Sequence, residues 1–247
     1  MALFEAFGLH KRFGEQVVLE DITLAFEAGR LSGIMGPNGA GKTTCFNVLT
    51  GRYRPDRGRV VLDREDITGL PPHAIARRGV SRSFQVISLF DECTALENVL
   101  IALPEVRARG FDPARSLARD QDAEGRAATV LESVGLAGTE HREARSLSYG
   151  KRRALEIALA LAAEPRILFL DEPTSGLGSD GISELSRLIE RLKGRMTMVI
   201  IEHDMPFLFA LADTISVIHW GQVIAAGTPG ELRRNKWVAA SNLGKLA

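Results

Sequence analysis

Gly36-Pro37-Asn38-Gly39-Ala40-Gly41-Lys42-Thr43-Thr44 has the residue types and spacing of a loop that holds phosphate. Glycines at 36, 39 and 41 let the backbone curl until successive N–H groups turn inward, where they can donate to phosphate oxygens. Lys42 supplies one ammonium for the β- and γ-phosphates of a nucleotide, and the Thr43 hydroxyl can ligate a Mg²⁺ that bridges them. Such a loop works between a strand and a helix, because the helix N-terminus brings a positive dipole end to the same spot. The flanks meet that condition. Residues 31–35 form an apolar run of strand length, and residues 43–49 read as the opening of a helix.

A Mg-nucleotide site also needs a carboxylate at the metal and a group that orients water. Residues 167–170 form a second apolar strand, which ends in Asp171-Glu172. Parallel sheets bind ligands at the carboxyl ends of their strands, so Asp171 is expected beside the glycine loop, with Glu172 as a candidate base. The strand at 198–201 ends in Glu202-His203. Phe13, in Lys11-Arg12-Phe13-Gly14, sits beside a turn upstream of the loop, and its ring can stack on a base. Ser148, in Leu147-Ser148-Tyr149-Gly150-Lys151, is a good N-cap for a helix that runs to Ala163.

The elements that must position these groups follow from periodicity. Residues 3–31 alternate apolar and polar about turns at Phe13-Gly14 and Ala28-Gly29, the pattern of antiparallel strands. Further strands are expected at 58–62, 80–84, 215–219 and 222–226, and helices at 72–77, 181–192, 205–212 and 236–246. From Ala95 to about Val134 the pattern is helical, with a charged run from Arg107 to Arg126 that reads most simply as a solvated face and could also meet a partner. The fold class is α/β. A P-loop NTPase core with a parallel sheet (about 1–90 and 163–247) carries an N-terminal antiparallel β subdomain and an inserted α-helical subdomain (91–162), all within one domain of 247 residues.

Composition narrows the partners. The 31 basic and 31 acidic residues balance, so no net field recruits nucleic acid, and no nucleic-acid partner is expected. Cys45 and Cys93 offer neither a disulfide framework nor zinc spacing and read as small buried side chains. Met1-Ala2-Leu3-Phe4-Glu5 lacks a basic region followed by an apolar core, and no apolar stretch reaches the length of a membrane span, so a cytoplasmic protein is expected.

Taken in order, the glycine loop, Gln85 in Arg82-Ser83-Phe84-Gln85, Leu147-Ser148-Tyr149-Gly150, residues 167–172 and Glu202-His203-Asp204 resemble the ATP-binding subunits of ABC transporters over essentially the whole chain. The resemblance implies ATP and Mg²⁺ as cofactors, with Phe13 stacked on adenine and Thr43, Gln85 and Asp171 at the metal. It implies Glu172 as catalytic base and His203 as a link between γ-phosphate and attacking water. Gln85 would also lie at the cleft where membrane subunits dock. Ser148 and Gly150 resemble the signature segment, which meets the γ-phosphate of ATP held by a second subunit, so two chains complete two sites. Two departures stand out. Tyr149 and Lys151 replace a glycine and a glutamine, and Gly178 replaces an Asp or Asn that contacts the partner.

Within the family, Ser83-Phe84-Gln85 with Leu89-Phe90, the signature Tyr149, Arg153, Leu155-Glu156-Ile157, Glu202-His203-Asp204-Met205 and Gly227-Thr228-Pro229 are similar to branched-chain amino-acid importer ATPases. That similarity implies a second ATPase subunit, two transmembrane permease subunits, an extracytoplasmic binding protein met indirectly, and a place on the cytoplasmic face of the inner membrane. Importers of urea, amides or other small solutes share these features. A soluble family member acting on ribosomes or nucleic acid would carry paired ATPase halves or long coiled coils, and this chain has one motif set and no heptads. A guanine switch is disfavoured by Asn235-Lys236-Trp237-Val238, which lacks the required Asp. A regulatory module that binds nucleotide without turnover stays open through Gly178.

Overall fold

The computed structural model describes residues 2–83, 89–108 and 120–235. Strands β1 (Ala2–Phe13) and β2 (Gln16–Glu27) open the chain as an antiparallel hairpin. Their inward residues are Phe4, Ala6 and Leu9 on β1, and Leu19, Ile22, Leu24 and Phe26 on β2. The step from 6 to 9 breaks strict alternation. A bulge there, with Gly8 and Asp21 both at positive φ, shifts register and returns Leu9 to the buried face.

Next come β3 (Leu31–Met35), α1 (Lys42–Leu49), β4 (Arg57–Leu62), β5 (Glu65–Asp66), α2 (Pro72–Ala76) and β6 (Val80–Arg82). A helical stretch follows, with α3 (Ala95–Ala102), α4 (Pro104–Ala108), α5 (Gln121–Ser133) and α6 (Tyr149–Ala162). The chain then alternates through β7 (Ile167–Asp171), α7 (Ser179–Leu192), β8 (Thr197–Ile201), α8 (Met205–Leu211), β9 (Thr214–His219), β10 (Gln222–Gly227) and α9 (Pro229–Arg233). Helix α7 starts at Ser179, ahead of the glycine at 181, with Asp180 in the first turn, where its charge favours the helix dipole. The expected strand at 80–84 ends at Arg82, with Ser83 outside it and residue 84 outside the described residues, and the expected helix over 236–246 also lies outside the described residues.

The chain forms two compact units. The first comprises the described residues through Arg82, Arg166–Thr174 and those from Lys193 onward. It holds an antiparallel sheet of order β2-β1-β4-β5 and a six-stranded sheet of order β10-β9-β3-β8-β7-β6. In the latter β9, β3, β8, β7 and β6 run parallel, and β10 closes one edge antiparallel to β9. Strands β3, β7 and β8 are buried along their whole length, as strands covered on both faces must be.

An aromatic cluster fills the core of this unit. The ring of Phe169 on β7 lies 5.3 Å from Phe4, 5.9 Å from Phe46 and 6.1 Å from Phe26, in edge-on geometries. Replacing Phe169 by Ala opens a cavity facing three rings and is expected to cost about 3–5 kcal/mol of unfolding free energy, read from urea denaturation.

The second unit comprises the described part of 83–165 together with 175–192. Its helices start where side-chain oxygens accept the first N–H groups: Thr94 and Glu97 form a capping box on α3, Asp120 caps α5 and Ser148 caps α6. A buried ion pair, Arg153 Nη1 to Glu156 Oε2 at 2.5 Å, lies within α6. In the charged run, Arg126 pairs with Glu105 and Glu164. Cys45 is buried on α1, where desolvation pushes its thiol up to about 12, while Cys93 is half-buried.

Candidate functional site

The strand order decides where the chemistry gathers. Strands β3, β8 and β7 are consecutive and parallel, so their carboxyl ends lie side by side. The glycine loop follows β3, Glu202-His203 follows β8, and Asp171-Glu172 closes β7. All three segments belong to the first unit.

The loop runs from Gly36 to Thr44, with Pro37, Asn38, Gly39, Ala40, Gly41, Lys42 and Thr43 between. Gly39 and Gly41 have φ of 80° and 100°, conformations that side chains resist. A Cβ on Gly36 would fall 2.0 Å from the carbonyl oxygen of Ile218, and one on Gly41 would fall 2.8 Å from that of Val18. Strands remote in sequence therefore brace the loop. Gly221, at the β9–β10 turn, completes the brace: its N–H donates to Ala40 O at 3.0 Å, and its carbonyl accepts from Glu20 N–H at 2.8 Å. Helix α1 has Gly41 at its N-cap position, with no side-chain cap and no acidic residue in its first turn. An N-terminus left in that state suits an anion.

Lys42 Nζ donates to Gly36 O at 2.9 Å and to Pro37 O at 3.0 Å. Burial lowers its pKa from the ordinary lysine value, opposed by the charges of Glu172, Asp171 and Glu202. The unfolded chain thus holds this proton more tightly, so folding stability rises with pH between the folded and unfolded values. Phosphate attracts only the ammonium form. Nucleotide affinity is therefore expected to decline as pH rises through a value below that of an ordinary lysine, measured by titration from about pH 7 to about pH 10.

Asp171 is 3 % exposed at the end of β7. Glu172 adopts φ 45°, a left-handed conformation rare outside glycine, and its N–H donates to Ile201 O at 2.8 Å. His203 Nδ1 lies 3.7 Å from Glu172 Oε1. The structure thus brings Lys42, Asp171, Glu172 and His203 to one sheet edge. Thr43 is exposed on the first turn of α1 and Thr44 is half-buried. Gln85 lies outside the described residues. The strand that leads to it is anchored by Arg82, whose Nη1 donates to Asn47 Oδ1 at 3.2 Å and Thr50 Oγ1 at 3.0 Å, with the guanidinium 4.6 Å from the centre of the Phe46 ring.

Phe13 closes β1 at the β1–β2 turn and is 44 % exposed, so its ring can receive a base. Tyr53 meets it edge-on at 5.3 Å, and Lys11 Nζ, paired with Asp56 at 3.1 Å, lies 5.5 Å from the ring centre. Ser148 and Gly150 lie in the second unit, on the first turn of α6, with Ser148 exposed. There the Tyr149 hydroxyl donates to Ser175 O at 3.3 Å, and a Cβ on Gly176 would meet that hydroxyl at 2.9 Å. No atom lies within 4 Å of the Cβ position of Gly178, so the structure has room for the missing side chain.

Sequence reasoning gave no role to Glu202. Its side chain is fully buried and accepts hydrogen bonds from Thr174 and from the backbone of His203 and Asp204. The available signal was its place after an apolar strand, the same signal that singled out Asp171. Nothing in local sequence pointed to Ile218 or Gly221 as supports of the glycine loop. Among the described residues no group of three or more His, Cys, Asp or Glu gathers as a metal site, and no helix is long and apolar enough to cross a membrane.

A parallel sheet with a glycine loop between strand and helix, and carboxylates at the adjoining strand ends, defines a nucleoside triphosphatase of the P-loop class. The chain belongs to the ABC transporter family, whose profile matches residues 19–175, and it is one of that family's ATP-binding, ATP-hydrolysing subunits. It is 41% identical over 250 residues to the high-affinity branched-chain amino acid transport ATP-binding protein BraF of Pseudomonas aeruginosa, covering 98% of each chain. LivG of Salmonella typhimurium, which bears the same description, is 41% identical over 246 residues, covering 96% of each. Among solved structures, the ADP conformation of an ATP-binding cassette of an ABC transporter superposes with a TM-score of 0.87 at 29% identity, covering 99% of each chain.

Proposed function

We propose that this chain drives uptake of branched-chain amino acids, as one ATPase subunit bound to the cytoplasmic face of two transmembrane permease subunits. The identity to BraF along the full length of both chains carries this reading. The extracytoplasmic binding protein selects the solute, and this subunit supplies the work.

In this reading Phe13 stacks on adenine, the N–H groups of residues 36–44 and the Lys42 ammonium hold the phosphates, and Thr43, Asp171 and Gln85 hold Mg²⁺. The residues fit those groups: bracing against Ile218 O keeps Gly36 free of any side chain, α1 starts uncapped, and the buried carboxylate of Asp171 sits at the carboxyl end of β7, on the far side of β8 from β3. When bound, the metal neutralises charge on the phosphate oxygens. Glu172 takes the proton of the attacking water, and His203 holds the γ-phosphate side of that water. Ser148 and Gly150 meet the ATP of a second ATPase subunit, so binding closes the pair and product release reopens it.

Tagging the chain, solubilising its host's membranes gently and identifying the co-purifying proteins by mass spectrometry tests the proposal. A polytopic membrane pair with a second ATPase is expected, together with a neighbouring binding protein that takes leucine, isoleucine or valine. A binding protein that takes urea or another amide would reassign the cargo. Recovery with ribosomes or nucleic acid alone would end the transport reading.

A further inference from the structure

Glu202 is a carboxylate with no solvent exposure. Holding it there is costly unless donors surround it. Its Oε1 accepts from Thr174 N–H at 2.8 Å and from the Thr174 hydroxyl at 2.5 Å. Its Oε2 accepts from His203 N–H at 3.0 Å and from Asp204 N–H at 3.3 Å. The donors come from two loops, one after β7 and one after β8. Its own N–H donates to Ile34 O at 3.1 Å, on the strand that enters the glycine loop. One residue therefore ties together the three segments that carry the chemistry.

The tie bears on two of those segments directly. Thr174 lies two residues beyond Glu172, which is held in a left-handed conformation at φ 45°. A strained residue of this kind persists only where its surroundings over-determine it. The grip on both hydrogen-bond donors of Thr174, with the Glu172 N–H bound to Ile201 O, supplies that restraint. The other oxygen fixes the backbone at His203, whose ring lies 3.7 Å from Glu172. Asp204 in turn caps α8 by accepting from Phe207 N–H at 3.0 Å.

We infer that Glu202 is a positioning residue for hydrolysis, setting the separation of Glu172 and His203 through Thr174 and the His203 backbone. The inference rests on the roles proposed above for that pair. It predicts a split between turnover and binding, because the Glu202 carboxylate is hydrogen-bonded, among the described residues, only to the loops of the hydrolytic pair. Glu202 reaches the phosphate loop through a backbone bond to Ile34 O, which a side-chain change keeps, and through its charge on Lys42, while Ile218, Val18 and Gly221 brace that loop.

The test is Glu202→Gln in the purified transporter. The amide keeps the shape but turns one acceptor into a donor that faces other donors. The expected result is a fall in ATPase kcat of about 100-fold with KM for ATP within about threefold of the parent, as for a small displacement of reacting groups. If that variant does not fold, Thr174→Val decides. It removes a single donor and is expected to lower kcat about tenfold, and Thr174→Ser, which keeps the hydroxyl, restores most of the loss. Unchanged kcat, or equal loss of kcat and nucleotide affinity, overturns the inference. Glu172→Gln assayed alongside separates the two levels. If it abolishes turnover while Glu202→Gln and Thr174→Val leave kcat intact, only the role of Glu202 fails, whereas retained turnover in Glu172→Gln overturns both.

Discussion

Glu172→Gln is expected to lower ATP turnover by about 10²–10⁴-fold while leaving nucleotide affinity within a few-fold of the parent. Glutamine matches the shape of glutamate but accepts no proton, so the variant removes the base and little else. The backbone bond from residue 172 to Ile201 O and the left-handed turn there do not depend on the carboxylate. ATP should still close the paired subunits and, without hydrolysis, hold them closed. Phosphate release gives the rate, a fluorescent nucleotide gives the affinity, and gel filtration with ATP shows the trapped pair. Undiminished phosphate release would remove Glu172 from the role of base.

Lys42→Ala is expected to weaken ATP binding by roughly 30- to 5,000-fold, the range that corresponds to about 2–5 kcal/mol for truncating one partner of a buried charge pair. The loss should show as affinity, because the ammonium meets the phosphates in the bound ground state as well as during reaction. Stability should change far less. Burial lowers the pKa of this lysine, so its charge is carried at a cost in the fold, and that cost offsets the bonds lost to Gly36 O and Pro37 O. Calorimetric titration and a melting curve on the same sample separate the two. Retained affinity would count against the cradle as described. The two variants have opposite signatures, one in rate and one in binding, and comparing them tests the division of labour at the sheet edge.

What could be read from sequence was governed by local chemistry. A glycine loop needs its glycines at 36, 39 and 41 and its lysine at 42 because backbone curvature and phosphate charge act over a few residues. Ser148 was legible as an N-cap for the same reason: its side chain accepts from Lys151 N–H, three residues on. Apolar runs ending in Asp171-Glu172 and Glu202-His203 marked strands that deliver acids to a sheet edge. The bulge that returns Leu9 to the core left no comparable mark, since it depends on pairing β1 with β2.

By itself the sequence determined the chemistry on offer: a glycine loop with its lysine, acids at strand ends, an aromatic ring at Phe13 beside a turn and a helix capped by Ser148. Only the tertiary structure decided which of these meet. Strand order β9-β3-β8-β7-β6 is not the order of the chain, and it is this order that sets the glycine loop, His203 and Glu172 at neighbouring strand ends. Gly36 is required by the carbonyl of Ile218, and Glu202 is buried with donors from two separate loops. Such requirements arise when remote segments pack at close range, where a single Cβ is too large and a single buried charge must be fully hydrogen-bonded.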